Sequence, residues 1–116
     1  MPRFVLLHHE TSAGAHFDFM LEDSGILKAW SLPELPQKDI EFTCLALPDH
    51  RIAYLDYEGP VAGDRGTVRR VDHGEYSAEQ QGDSAWIIRL AGEKLIGQVA
   101  LRRSTDQNDE WLFLLE

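Results

Sequence analysis

His16-Phe17-Asp18 sets an imidazole and a carboxylate two residues apart in a run, His16 to Glu22, that alternates polar and apolar side chains. On a β-strand alternate residues share a face, so His16, Asp18, Met20 and Glu22 point one way and Phe17, Phe19 and Leu21 the other. A ring nitrogen and a carboxylate oxygen side by side can each give a lone pair to one divalent cation, and a third donor completes a minimal site. His8 and His9 stand just upstream, across a turn-like Thr11-Ser12-Ala13-Gly14 segment, and His50 lies further down the chain. The same alternation also suits a half-buried strand whose polar face is merely solvated. Clustering brings the metal reading level with that one: three of the five histidines fall within the first sixteen residues, beside Asp18, in an otherwise acidic chain.

Two further segments carry groups that can act on an anion. His50 follows Leu47-Pro48-Asp49, in what reads as a loop entering a strand with Tyr54, Asp56 and Glu58. Tyr54 to Pro60 holds two tyrosines and two carboxylates, and reads equally as a solvated rim or a pocket wall. Gly63-Asp64-Arg65-Gly66-Thr67 is a glycine-flanked turn bearing one arginine, suited to offering a guanidinium fork and backbone N–H groups to a phosphate. A plain β-turn with an exposed arginine accounts for the same residues.

These groups need a scaffold, and the chain has the rhythm of an all-β one. Short β-branched, aromatic or alternating runs recur at about 3–9, 16–22, 25–32, 41–47, 52–58, 66–72, 84–91, 94–102 and 110–115. Asp23-Ser24-Gly25 and Ala91-Gly92-Glu93 read as tight hairpin connections; Pro33 to Asp39 and Gly74 to Asp83 read as longer polar loops. No segment has a sustained helical period, and eight or nine short strands avoid exposed edges by closing. The expected fold is therefore a compact antiparallel β-barrel of about eight strands with long loops and little helix.

A chain of 116 residues is expected to form one domain, 1–116, with a single core. Its formal charge of −9 argues against a broad basic surface for duplex nucleic acid, though not against a local phosphate pocket. Cys44 is the only cysteine and sits in the apolar run Cys44-Leu45-Ala46-Leu47, so it reads as core, with no internal disulfide and a reducing cytosol as the natural setting. Phe4-Val5-Leu6-Leu7 is too short for a signal-peptide core, and no run approaches the roughly 20 apolar residues that span a bilayer. A soluble, cytoplasmic protein with no membrane partner is expected.

Several collinear motifs carry a resemblance. They are Phe4-Val5 with a histidine five positions after the Phe, His16-Phe17-Asp18-Phe19, Leu21-Glu22, Gly25-Ile26-Leu27-Lys28-Ala29-Trp30, Asp49-His50, Tyr54-Leu55-Asp56-Tyr57-Glu58-Gly59, Gly66-Thr67-Val68, Gly92 to Gly97, and Trp111-Leu112. Read together, they resemble the 3'-phosphoesterase domain found at the N-terminus of the bacterial end-joining DNA ligase D and in stand-alone relatives. The resemblance implies a compact β-barrel and a manganese-dependent enzyme that trims DNA 3' ends. Such an enzyme removes a terminal ribonucleotide and then the remaining 3'-phosphate, acting on a primer-template. Carried over residue by residue, it assigns the metal to His9, His16 and Asp18, with His9 preferred to His8 for its distance from Phe4. It assigns the second active-site histidine to His50 and the neighbouring tyrosine to Tyr54. DNA end-joining proteins are the partners it suggests.

Two positions depart from the family pattern: Met20 stands where the family has an arginine, and Glu34 where it has a lysine. Losing a phosphate-facing cation weakens transition-state stabilisation, by about a hundredfold in rate for a single donor. Arg65, from a different loop, is this chain's own candidate to replace that charge. A second reading follows from the departures, a non-catalytic module that keeps the metal and binds a nucleic-acid end or another phosphorylated ligand. A third takes His16, Asp18 and His50 as a two-histidine, one-carboxylate iron site of an oxygenase. The acidic surface implies contact with a few nucleotides at a terminus, or delivery to DNA by a basic partner protein.

Overall fold

The first hairpin already determines the register on which the site depends. Strand β1 (Arg3–Thr11) and strand β2 (Gly14–Asp23) are antiparallel, joined across Ser12 and Ala13, and the pairing sets His9 opposite His16 and Leu7 opposite Asp18. The turn is held by Thr11, whose Oγ1 donates to Gly14 O at 3.0 Å and accepts from Ala13 N at 3.2 Å. A computed structural model describes residues 1–104 and 108–116 of the chain.

The remaining strands are β3 (Ile26–Leu32), β4 (Glu41–Arg51), β5 (Gly59–Pro60), β6 (Thr67–Gln81), β7 (Ala85–Gly92), β8 (Ile96–Arg103) and β9 (Glu110–Leu115). They lie in the order β1-β2-β3-β4-β9-β8-β7-β6, and β6 pairs back onto β1, so eight antiparallel strands close into a barrel. Two-residue β5 is an extra strand on β6. Closure leaves no long unpaired edge on the ring strands. Among the described residues the only helical segment is a 3₁₀ turn, Ile52–Leu55, and no helix is long and apolar enough to cross a membrane.

All eight ring strands contribute to one buried cluster, which fills the barrel. Phe4 and Leu6 enter it from β1, and Phe19 and Leu21 from β2; Trp30 meets Trp86 and Trp111 edge-on at 6.1 and 5.5 Å. Cys44 is buried there, and burial pushes its thiol up to about 12. A second cluster sits on the outside of the wall: Val5, Leu7, Met20, Leu27, Ala29, Leu55 and Val68, with Ile52 and Tyr54 packed against it. The β1-β2-β3 wall is thus apolar on both faces. Each fully buried side chain of this size stabilises the fold by about 1.5–3 kcal/mol.

Four sequence expectations need correction. Residues 52–58, read as a strand, form the 3₁₀ turn and a short connection; Ile52 and Leu55, three residues apart, turn to one side and roof the outer cluster. Residues 74–83, read as a loop, are mostly β6, which runs to Gln81 paired with β7; its exposed polar residues hid it, since Tyr76 alone of this stretch is buried. His50, expected in a loop, lies near the end of β4. Met20, placed on the polar face of β2, is fully buried in the outer cluster.

Candidate metal centre

His9, His16 and Asp18 meet on the outer face of the β1-β2 hairpin. His9 and His16 are cross-strand partners, with ring centroids 4.7 Å apart, and Asp18 follows His16 by two residues on the same face. One ligand atom from each lies within 4.8 Å of the other two. His9 Nδ1 is 3.0 Å from Asp18 Oδ2, and His16 Nε2 is 2.9 Å from Asp18 Oδ1. The second approach lacks hydrogen-bond geometry, so Oδ1, buried, has no hydrogen-bond partner among the described residues. His8 faces away, with its ring edge-on to Phe17 and Nδ1 3.9 Å from Glu10.

The donors fit a divalent cation for a reason visible in His9. Its Nε2 lies 2.6 Å from the backbone oxygen of Arg65, and a carbonyl only accepts, so Nε2 carries the hydrogen. In the neutral ring Nδ1 then presents a lone pair to a carboxylate oxygen, acceptor against acceptor at 3.0 Å. A cation shared by Nδ1, Asp18 and His16 Nε2 resolves that opposition and satisfies the orphaned Oδ1. Two imidazoles and a carboxylate offer nitrogen donors that suit an ion such as zinc and an oxygen donor that suits one such as manganese.

This cluster lines a cleft of about 630 Å³, and Met20, His50, Tyr54 and Arg65, also singled out by sequence, line it too. His50 and Tyr54 form one wall, their rings edge to face at 5.8 Å, with His50 Nδ1 donating to Pro48 O at 2.7 Å. Arg65 comes from the turn before β6, its Nε donating to Ala62 O at 2.8 Å. That turn is tight, with positive φ at Gly63, Asp64 and Gly66. Met20, Leu47, Val61 and Val68 supply an apolar wall. Glu34 is exposed in the segment after β3 and is not among the cleft residues. His50 also lies outside the ligand cluster, so the three donors that meet are not those of the iron-site alternative.

Two residues escaped the sequence reading. Arg51, beside His50, gives the cleft a second guanidinium; as an isolated arginine among charged neighbours it carried no signal. Asp72 is buried on β6 and accepts from the backbone N–H groups of Glu93, Lys94 and Leu95 at 3.0, 3.2 and 2.8 Å, holding the β7-β8 turn. Its partners lie more than twenty residues away, beyond any local pattern.

Fold and site together define a β-barrel protein with a His-His-Asp donor set in an open cleft. Residues 7–103 match the family model of the DNA ligase D 3'-phosphoesterase domain, and the chain belongs to that family. It is similar to the multifunctional non-homologous end joining protein LigD of Mycobacterium bovis, 30% identical over 94% of this chain. The LigD of Pseudomonas aeruginosa is also 30% identical, over 97% of this chain. The chain spans about 15% of the length of these relatives.

Proposed function

We propose that this protein is a metal-dependent phosphoesterase that processes 3' ends of DNA or RNA in repair, removing a terminal ribonucleotide and a 3'-phosphate. The observation that carries the reading is the His9, His16 and Asp18 donor set in the same cleft as His50, Tyr54 and Arg65, in a chain of the 3'-phosphoesterase family. His9, His16 and Asp18 would hold the divalent ion, for which Mn²⁺ is proposed. When bound it supplies Lewis acidity toward a phosphoryl oxygen.

The protein's own groups do the rest. His50, with a proton fixed on Nδ1 by Pro48 O, has Nε2 free toward the cleft, where, once protonated, it donates a hydrogen bond to a phosphate oxygen or delivers its proton to the leaving oxygen. Tyr54 packs edge-to-face on His50 and limits its tilt. The guanidinium of Arg65 offers charge-assisted hydrogen bonds to the phosphate. The substrate partner is a nucleic-acid 3' end, and end-joining proteins are the proposed protein partners, from the names of the relatives.

The test is release of phosphate, and shortening by one nucleotide, from a primer-template whose primer ends in a ribonucleotide or a 3'-phosphate, with manganese and with chelator. Metal-dependent processing that is abolished in His16→Ala and Asp18→Ala, both still folded, is the expected result. Undiminished activity in either variant would refute the assignment. A binding module without turnover is the second reading, motivated by buried Met20 and exposed Glu34. Hydrolysis of a 3'-phosphate by the unaltered protein would eliminate it.

A further inference from the structure

We propose that the cleft of this chain selects a phosphodiester over a phosphomonoester, so that it removes a 3'-terminal ribonucleoside far faster than the 3'-phosphate left behind. The inference rests on the phosphoesterase reading above and concerns which of two phosphoesters that site takes.

Charge matching sets the preference. Asp18 is a buried carboxylate, so a divalent ion held there leaves one net positive charge at the floor of the cleft. That charge balances a phosphodiester, which is a monoanion, and falls one short of a phosphomonoester dianion. The next residue on the same face of β2 is Met20, at about 7 Å from Asp18 by strand geometry, fully buried among Val5, Leu7 and Val68. It cannot supply the missing charge, and its apolar surroundings make an uncompensated second charge costly. The two cations lining the cleft, Arg51 and Arg65, are exposed, so their bonds to a phosphate form in contact with water and salt and serve a monoanion as readily as a dianion. Asp49, in the same lining, adds negative charge, although Lys28 Nζ lies 3.3 Å from it. The wall of Met20, Leu47, Val61 and Val68 instead offers apolar contact to a sugar or base, which a diester has on both sides of phosphorus and a terminal phosphate has on one.

In the favoured reaction a water oxygen bonds to phosphorus and the bond from phosphorus to the 5' oxygen of the terminal ribonucleoside breaks. That oxygen leaves with one proton of the water as the nucleoside 5'-hydroxyl, and the primer keeps a 3'-phosphate.

The experiment compares kcat/KM of the unaltered, manganese-loaded protein on two matched primer-templates, one ending in a 3'-ribonucleotide and one in a 3'-phosphate. The diester is expected to be about tenfold or more the better substrate, with the 3'-phosphate product accumulating. In titration calorimetry, a readout independent of turnover, methyl phosphate, a dianion at alkaline pH, should bind the manganese-loaded protein more weakly than dimethyl phosphate. Met20→Arg should raise monoester turnover relative to diester turnover by on the order of tenfold; the binding comparison stands if that variant does not fold. Equal or faster monoester turnover, or tighter binding of methyl phosphate, overturns the selectivity alone. No turnover of either primer overturns the phosphoesterase reading, and this inference with it.

Discussion

The backbone oxygen of Arg65 lies 2.6 Å from His9 Nε2, so the turn that carries a cleft arginine also orients a candidate metal ligand. Carbonyl partners of this kind fix the tautomer of a ligating histidine, and their loss costs about 10–100-fold in metal affinity. Gly66 makes the approach possible: at φ +92° it has a backbone that L side chains rarely adopt, and a Cβ there would stand 1.9 Å from Glu10 O. Gly66→Ala must therefore push the turn away from β1 and from His9.

The side chain and the carbonyl of residue 65 should separate in experiment. Arg65→Ala keeps the carbonyl, and is expected to leave manganese affinity within about twofold while raising KM for a phosphoester; Gly66→Ala should weaken manganese by at least about tenfold. Titration calorimetry of the two variants decides it. Equal loss of metal affinity in both would mean that the guanidinium, rather than the carbonyl, supports the site.

Asp18 and Asp72 are both buried carboxylates with opposite surroundings. Asp72 receives three backbone N–H groups, each charge-assisted bond contributing about 1.5–3 kcal/mol, so Asp72→Asn should lower unfolding free energy by a few kcal/mol. Asp18 has an orphaned oxygen and an opposed imidazole lone pair, so Asp18→Asn should leave the metal-free protein as stable or more so, and abolish the stabilisation that added manganese gives. Urea unfolding with and without manganese checks both. A large loss of metal-free stability in Asp18→Asn would contradict a carboxylate arranged for a cation.

What was legible in sequence was local. The alternation through His16 to Glu22 placed His16 and Asp18 on one face; the third donor stayed open among His8, His9 and His50 until the resemblance assigned it to His9, and it is the hairpin register that sets His9 opposite His16. The Asp23-Ser24-Gly25 turn was legible too, with positive φ at Ser24 and Gly25. What escaped depends on distant contacts. Met20 looks polar-facing until Leu55 and Val68, from the 3₁₀ turn and β6, are brought over it. Residues 74–81 look like a loop because strand pairing with β7, and not burial, makes them a strand. Asp72 looks like a surface acid until the β7-β8 turn folds onto it.

Tyr76 links β6 to β2, its hydroxyl donating to Glu22 O at 2.6 Å, and burial, aided by the charges of Asp23 and Glu22, pushes the phenol up to about 12. The folded state thus holds this proton more tightly than the unfolded chain, whose phenol titrates near 10.0. Its contribution to stability is complete below the unfolded value and is lost as pH rises through the folded one. Stability should fall between about pH 10 and 12, and Tyr76→Phe should flatten that fall while costing about 1 kcal/mol at neutral pH for the lost hydrogen bond. Urea midpoints across this range for the two proteins are the measurement; parallel curves would remove Tyr76 as the source.

His50 offers the sharpest separation of chemistry from scaffold. Its Nδ1 is committed to Pro48 O, so only Nε2 remains for a substrate. Asparagine can keep a donor near the Nδ1 position and has no counterpart of Nε2. His50→Asn is therefore expected to melt like the unaltered protein and bind manganese equally, while kcat on the preferred primer falls by about a hundredfold or more and KM moves little, the signature of a group that acts in the transition state. His50→Ala should lose the same rate and some stability besides, because Tyr54 then keeps only Tyr57 of its two edge-to-face partners. A rise in KM with kcat intact would instead assign His50 to ground-state phosphate binding.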